Sequence, residues 1–182
     1  MDIKENIHVS LVDLQDNEIG QMEKLKAHQK GLLHRAFSVL IFNEKHELLI
    51  QRRAFGKYHS EGLWTNTCCS HPMPGESNLT AAHRRLQEEM GFDCKLKELF
   101  YFIYQAELDN NLIEHELDHV LIGYSNVDPI LNQEEAIGFK WLNMDHLKKE
   151  IIEYPNDFTI WFKLIILEHF EKIKLYLDNE SL

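Results

Sequence analysis

Glu76-Ser77-Asn78-Leu79-Thr80-Ala81-Ala82-His83-Arg84-Arg85-Leu86-Gln87-Glu88-Glu89-Met90-Gly91-Phe92 is the stretch on which the reading of the fold turns. Ser77 or Asn78 suits a helix N-cap, Gly91 suits the stop after a last turn, and Leu79, Ala82, Leu86 and Met90 recur as an apolar stripe. The spacing predicts a helix from near Glu76 to Met90 with one buried face.

Working outward, periodicity fails from Arg52 to Gly75, a loop longer than a simple connection needs. Before it, Ala36–Phe42 and Glu47–Gln51 are apolar runs joined by Asn43-Glu44-Lys45-His46, a β-hairpin of a central sheet. Nearer the N-terminus, Ile7–Val12 alternates as a strand, Asp16–Gly20 reads as a turn, and a short basic helix follows through Ala27. Beyond the opening helix, Leu99–Leu108 and Leu112–Tyr124 are strand-like around Asp109-Asn110-Asn111, and Ile137–Leu142 adds a short strand. Two helices close the chain, Met144–Glu153 and Phe158–Leu177, interrupted at Pro155, the second carrying Trp161, Leu164, Ile165 and Phe170 on its apolar side. This order predicts an α/β fold, a mixed β-sheet sandwiched between helices. The 182 residues, 44% hydrophobic, predict one domain over 1–182.

A formal charge of -11 argues against general affinity for nucleic acid or an anionic membrane, since the long-range field repels phosphate. Phosphate must then meet local basic exceptions: Lys24 and Lys26; Arg52, Arg53 and Lys57; Arg84 and Arg85. Without a long apolar run or a leader-like N-terminus, the expected location is cytoplasmic. The three cysteines, two of them adjacent, have no regular spacing and are expected to be reduced thiols.

Eleven histidines raise the expectation of a metal site without locating one. Ala27-His28-Gln29-Lys30-Gly31-Leu32-Leu33-His34 carries two, Trp64-Thr65-Asn66-Thr67-Cys68-Cys69-Ser70-His71-Pro72 a third, and Ile113-Glu114-His115-Glu116-Leu117 sets two carboxylates on one side of a strand. Three imidazoles and two carboxylates suit a five- or six-coordinate Mn²⁺, Mg²⁺ or Zn²⁺ better than a closed tetrahedral zinc.

The 76–92 segment resembles the Nudix box: Glu76, Arg84, Leu86, Glu88, Glu89, Gly91 and Phe92 fall in register, while Ser70 replaces the first Gly and Arg85 replaces a Glu. Arginine there removes a metal ligand but offers a planar fork to phosphate oxygens. Gly31-Leu32-Leu33-His34-Arg35-Ala36-Phe37-Ser38-Val39, the Trp64–Pro72 run and Glu114-His115-Glu116 together resemble the type 1 isopentenyl-diphosphate isomerases, relatives of the Nudix fold, from about Val9 to Trp161. One departure is Ser60-Glu61-Gly62, where that family commonly has Pro before the Gly.

The resemblance implies interconversion of isopentenyl and dimethylallyl diphosphates, with no nucleic acid or membrane partner, by a monomer or weak homodimer. It matches His28, His34, His71, Glu114 and Glu116 to the ligands of one divalent metal, and Glu89 to a second Mg²⁺ arriving with the diphosphate. Cys69 and Glu116 match the catalytic pair, Tyr104 and Trp161 the remaining active-site aromatics, and Lys24, Arg53, Lys57 and Arg85 the diphosphate contacts. Glu116 as proton donor with a Cys69 thiolate as acceptor is one direction; the reverse is the other. A Nudix hydrolase is the nearest competing reading, and a zinc-binding interaction module on Cys68, Cys69 and His71 is a more distant one.

Overall fold

The computed structural model describes residues 7–57 and 59–179. Along these run β1 (His8–Val12), β2 (Glu18–Glu23), α1 (Lys24–Lys30), β3 (His34–Phe42), β4 (Glu47–Arg53), β5 (Trp64–Thr65), β6 (Cys68–Ser70) and α2 (Asn78–Met90). There follow β7 (Leu96–Glu107), β8 (Ile113–Tyr124), β9 (Ala136–Asn143), α3 (Met144–Glu153), α4 (Ile160–Glu168) and α5 (Phe170–Asn179). All nine strands form one mixed sheet organised around β3. On one side β3 pairs in parallel with β8 over its whole length, His34 opposite Glu116 through Phe42 opposite Tyr124. On the other it is shared antiparallel by β1, β6 and β4 in turn.

Because side chains alternate along a strand, β3 feeds two cores. Leu40 and Phe42 join Val120, Ile122 and the apolar faces of α3, α4 and α5. Phe37, Val39 and Ile41 join Leu121 and the Ala81, Ala82, Leu86 and Met90 face of α2. The expected sheet between helical layers is therefore present.

The α2 boundaries follow from its caps. Ser77 Oγ accepts from the Thr80 N–H at 3.1 Å, and Gly91 closes the helix at φ 73°, its N–H on the Gln87 carbonyl. A Cβ at Gly91 would approach the Ile130 carbonyl oxygen to 2.6 Å. Leu79 is 43% exposed and leaves the expected stripe, which begins at Ala81 and Ala82. Periodicity gives its direction around the helix but not how far the packing partner extends along the axis.

Other expectations shift for identifiable reasons. The Asp16–Gly20 turn closes earlier, because Asp13 Oδ1 accepts from the Gln15 and Asn17 N–H groups at 2.9 Å, and Glu18 onward is strand β2 on β1. The first helix runs on to Lys30, ended by Gly31 at φ 60°. The long Arg52–Gly75 segment starts inside β4 and contains β5 and β6, so it is partly sheet. The last helix breaks at His169, whose ring packs 4.6 and 5.0 Å from those of Phe100 and Phe102. Four of the nine α4 residues are buried, against one amphipathic face of α5, and a bend lets both pack. Among the described residues no helix is long and apolar enough to cross a membrane.

Candidate active site

Register decides which cysteine faces the histidines. Cys69 pairs with Ser38 across β3 and Glu116 pairs with His34, so all four project to one side of the sheet. Cys68 pairs with Val39 and is wholly buried in the α2 core. The two adjacent cysteines thus serve opposite faces.

Around Cys69 a pocket opens, lined by Lys24, Arg53, His59, His71, Glu116 and Trp161 among others. Within it, the donor atoms of His28, His34, His71 and Glu116 lie within 4.8 Å of one another. α1 and β3 aim two of these rings. The Nδ1–H of His28 donates to the Lys24 carbonyl and that of His34 to the Leu32 carbonyl, each at 2.8 Å, so each Nε2 turns a lone pair to the centre. His34 Nε2, His71 Nδ1 and Glu114 Oε2 are buried without a hydrogen bond. Buried, unsatisfied bases and carboxylates grouped in this way fit a divalent cation. Glu114 stands slightly apart, grouped with His28 and His59 instead of with the other four.

Glu116 is the hub. Its Oε1 accepts from His71 Nε2 at 2.8 Å and lies 3.5 Å from His34 Nε2, while Oε2 accepts from the Tyr104 hydroxyl at 2.7 Å. Burial pushes its carboxyl up, but the neighbouring His34 and His71 rings outweigh this and hold it well below the usual range. Glu114 moves the other way: burial, then the Glu116 charge, push it well up. Burial also pushes the Cys69 thiol up to about 12, against the pull of Arg53, whose Nη1 is 4.0 Å from Sγ. Cys69 therefore rests as the thiol.

The basic residues divide. Lys24 and Arg53 line the pocket, with Arg53 also lying 5.3 Å over the Trp161 ring. Lys57 and Arg85 meet instead on Glu135, and Arg85 Nη2 bonds Glu89 Oε1 at 2.6 Å. Glu89 also accepts from the buried Gln51 at 2.8 Å. This second cluster adjoins Cys68, on the α2 side. Glu135, Gln51, His59 and Asn66 escaped the sequence reading. Glu135 is one of thirty acidic residues, with nothing local to distinguish it; His59 is adjacent to the Ser60-Glu61-Gly62 departure.

Asn66 is the most connected of these. Fully buried, its Oδ1 accepts from Trp161 Nε1 and Thr65 Oγ1 at 3.2 and 2.9 Å, and its Nδ2 donates to the Val39 and Cys68 carbonyls at 3.3 and 2.6 Å. It ties the β5–β6 segment to β3 and orients the indole. Asn66→Ala leaves buried polar groups unsatisfied and is expected to cost about 2–3 kcal/mol, read as a lowered urea midpoint at unchanged m-value.

Burial, with the His34 charge, lowers His28 to about 4. Its folded value lies below the ~6.5 of a free imidazole, so the unfolded chain binds the extra proton between them. The stability this contributes is complete above about pH 6.5 and is lost as pH falls towards 4. In chelator, wild type should therefore lose about 2–3 kcal/mol relative to His28→Gln between pH 7 and 4.5. Parallel urea titrations of the two proteins check this; a constant difference would contradict a neutral buried ring.

A family model described as NUDIX domain matches residues 32–162. The curated protein "Isopentenyl-diphosphate Delta-isomerase 2" of Photorhabdus laumondii is 56% identical over 156 residues, covering 86% of this chain and 88% of that protein. "Isopentenyl-diphosphate Delta-isomerase" of Serratia proteamaculans is 51% identical, covering 86% and 87%. Among solved structures, DR0079 from Deinococcus radiodurans superposes with a TM-score of 0.74 at 18% identity, over 88% of this chain and 98% of that one, a likeness of fold alone. With its extended match to these relatives and its mixed sheet between helices, this chain belongs to the isopentenyl-diphosphate Delta-isomerase family, built on the NUDIX domain.

Proposed function

We propose that this chain moves the double bond of isopentenyl diphosphate to give dimethylallyl diphosphate, in isoprenoid biosynthesis, by proton transfer to and from carbon. The observation that carries this reading is the placement of Cys69 and Glu116 on one face of the sheet, on strands flanking β3, with a pocket lined by both.

An alkene is a very weak base, so the acid must be held against C4 in a site that excludes water. One member of the pair gives its proton to C4; the electron pair of the double bond forms the new C–H bond and leaves a tertiary cation at C3. The other member takes a proton from C2, whose C–H electrons become the new double bond. Reversibility requires each group to serve as acid in one direction and base in the other. Tyr104 supports Glu116 through its hydroxyl, and the Trp161 face stabilises the cation, an effect of ~2 kcal/mol when desolvated.

A divalent ion, Mn²⁺, Mg²⁺ or Zn²⁺, would be held by His28, His34, His71, Glu114 and Glu116, and supplies positive charge that sets the proton affinity of Glu116. Lys24, Arg53, Lys57 and Arg85 bind the diphosphate, which stays intact as a handle. Glu89, which accepts from Arg85 here, would hold a second Mg²⁺ arriving with the diphosphate, and the Arg85 guanidinium fork suits phosphate oxygens.

Incubation with isopentenyl diphosphate in deuterated water tests the proposal. Deuterium should enter the product methyl group and stop entering when chelator is added. Phosphate release without label in carbon would instead identify a hydrolase.

A further inference from the structure

We propose that His59 is a sixth protein ligand of the metal centre, binding through Nε2 beside Glu114 and completing the set of His28, His34, His71, Glu114 and Glu116. The inference rests on the metal-centre reading above and adds a residue that the family resemblance did not assign.

Three observations support it. First, His59 Nε2 faces Glu114 Oε1 at 3.9 Å, too long for a hydrogen bond, and one donor atom from each of His28, His59 and Glu114 lies within 4.8 Å of the other two. Two donors each about 2.0–2.2 Å from one ion stand up to about 4.4 Å apart, so little movement closes the group on a cation. His28 belongs to both clusters, so the His59–Glu114 pair borders the other donors.

Second, the ring is prepared for the task. His59 is 6% exposed, its Nδ1 is 3.2 Å from Ser60 Oγ, and its ring lies nearly parallel to that of His28 at 5.8 Å. An Nδ1–H donated to Ser60 leaves the Nε2 lone pair aimed at Glu114 and His28.

Third, the backbone is held in a costly shape to keep the ring there. Ser60 has φ 52°, a left-handed conformation that L side chains disfavour, and it is buried. Arg53 pins this turn by donating to the Ser60 carbonyl at 3.1 Å and the His59 carbonyl at 3.4 Å. The same guanidinium that reaches Cys69 thus also seats His59.

Six protein ligands leave no open position for substrate. The ion's task in this protein is then to hold Glu116 and its neighbours, not to bind the alkene or the diphosphate directly.

Co²⁺ added alone to the metal-free protein provides the test. Each imidazole on Co²⁺ contributes a far-shifted ring N–H proton signal. Wild type should show one such signal missing from His59→Gln and a different one missing from His34→Gln, and His59→Gln should bind Co²⁺ at least roughly tenfold more weakly. Identical signals in wild type and His59→Gln, with one lost in His34→Gln, would overturn the role of His59 while leaving the metal centre standing. No shifted signal in any protein would instead sink the metal-centre reading. Wild type also gives an answer without relying on a folded variant: a shifted ring must show a through-space contact to the Trp161 indole, which stands edge-on to His59 at 5.9 Å. Absence of that contact counts against the proposal.

Discussion

Cys69→Ala and Glu116→Gln should each lower turnover by ~10²–10⁴-fold, the contribution of one positioned proton transfer. Both variants should keep the fold. Cys69 lies at the pocket wall, outside the fully buried α2 core that holds Cys68, so losing its sulfur opens the pocket more than it disturbs packing. Glutamine preserves the volume of Glu116 and an acceptor for the Tyr104 hydroxyl at 2.7 Å, but cannot exchange a proton at carbon. Steady-state rates with a thermal melt of each variant separate chemistry from folding. Cys68→Ala is the informative contrast: it should leave the rate near wild type and cost stability by vacating a buried site. Wild-type turnover in Cys69→Ala or Glu116→Gln would remove the pair from the mechanism.

Metal removal should have the second largest effect, abolishing turnover and lowering stability together. Three imidazoles and Glu116 converge in a buried site, and an ion that binds only the folded arrangement stabilises it by mass action. With free metal at about 1,000 times its dissociation constant the gain is about 4 kcal/mol. Denaturant midpoints measured with and without chelator should differ accordingly, and addition of Mn²⁺, Mg²⁺ or Zn²⁺ should restore both midpoint and rate. His34→Ala, which removes an Nε2 already aimed at the centre, should nearly erase the metal-dependent part of the midpoint. A midpoint indifferent to chelator in wild type would exclude a resident ion with this coupling.

The two cysteines mark where residue order stops being informative. Adjacency made Cys68 and Cys69 chemically equivalent on paper, and resemblance alone preferred the second. The register of β6 on β3 separates them physically: neighbours in a strand point to opposite faces, so one enters the α2 core and the other the pocket. The same distinction applies to Leu79, correctly aligned with the stripe yet solvent-exposed, and to His59, whose importance depends on Glu114 and His28, far away along the chain.

Local chemistry was enough for what is local. The apolar run of β3, the strand-like run of β8, the Asn43–His46 turn, the Ser77 cap and the Gly91 stop each depend on residues within a few positions, so the α/β layering could be read directly. The donor types of a metal centre were visible too, because imidazoles and carboxylates declare their chemistry wherever they lie. What only the tertiary structure decided was their grouping: Glu114 drawn towards His59, Lys57 and Arg85 gathered on Glu135, Asn66 anchoring Trp161. These are contacts between segments tens of residues apart, set by strand register and by which face each side chain takes. A one-dimensional pattern carries the period of a strand but not the partner it will meet.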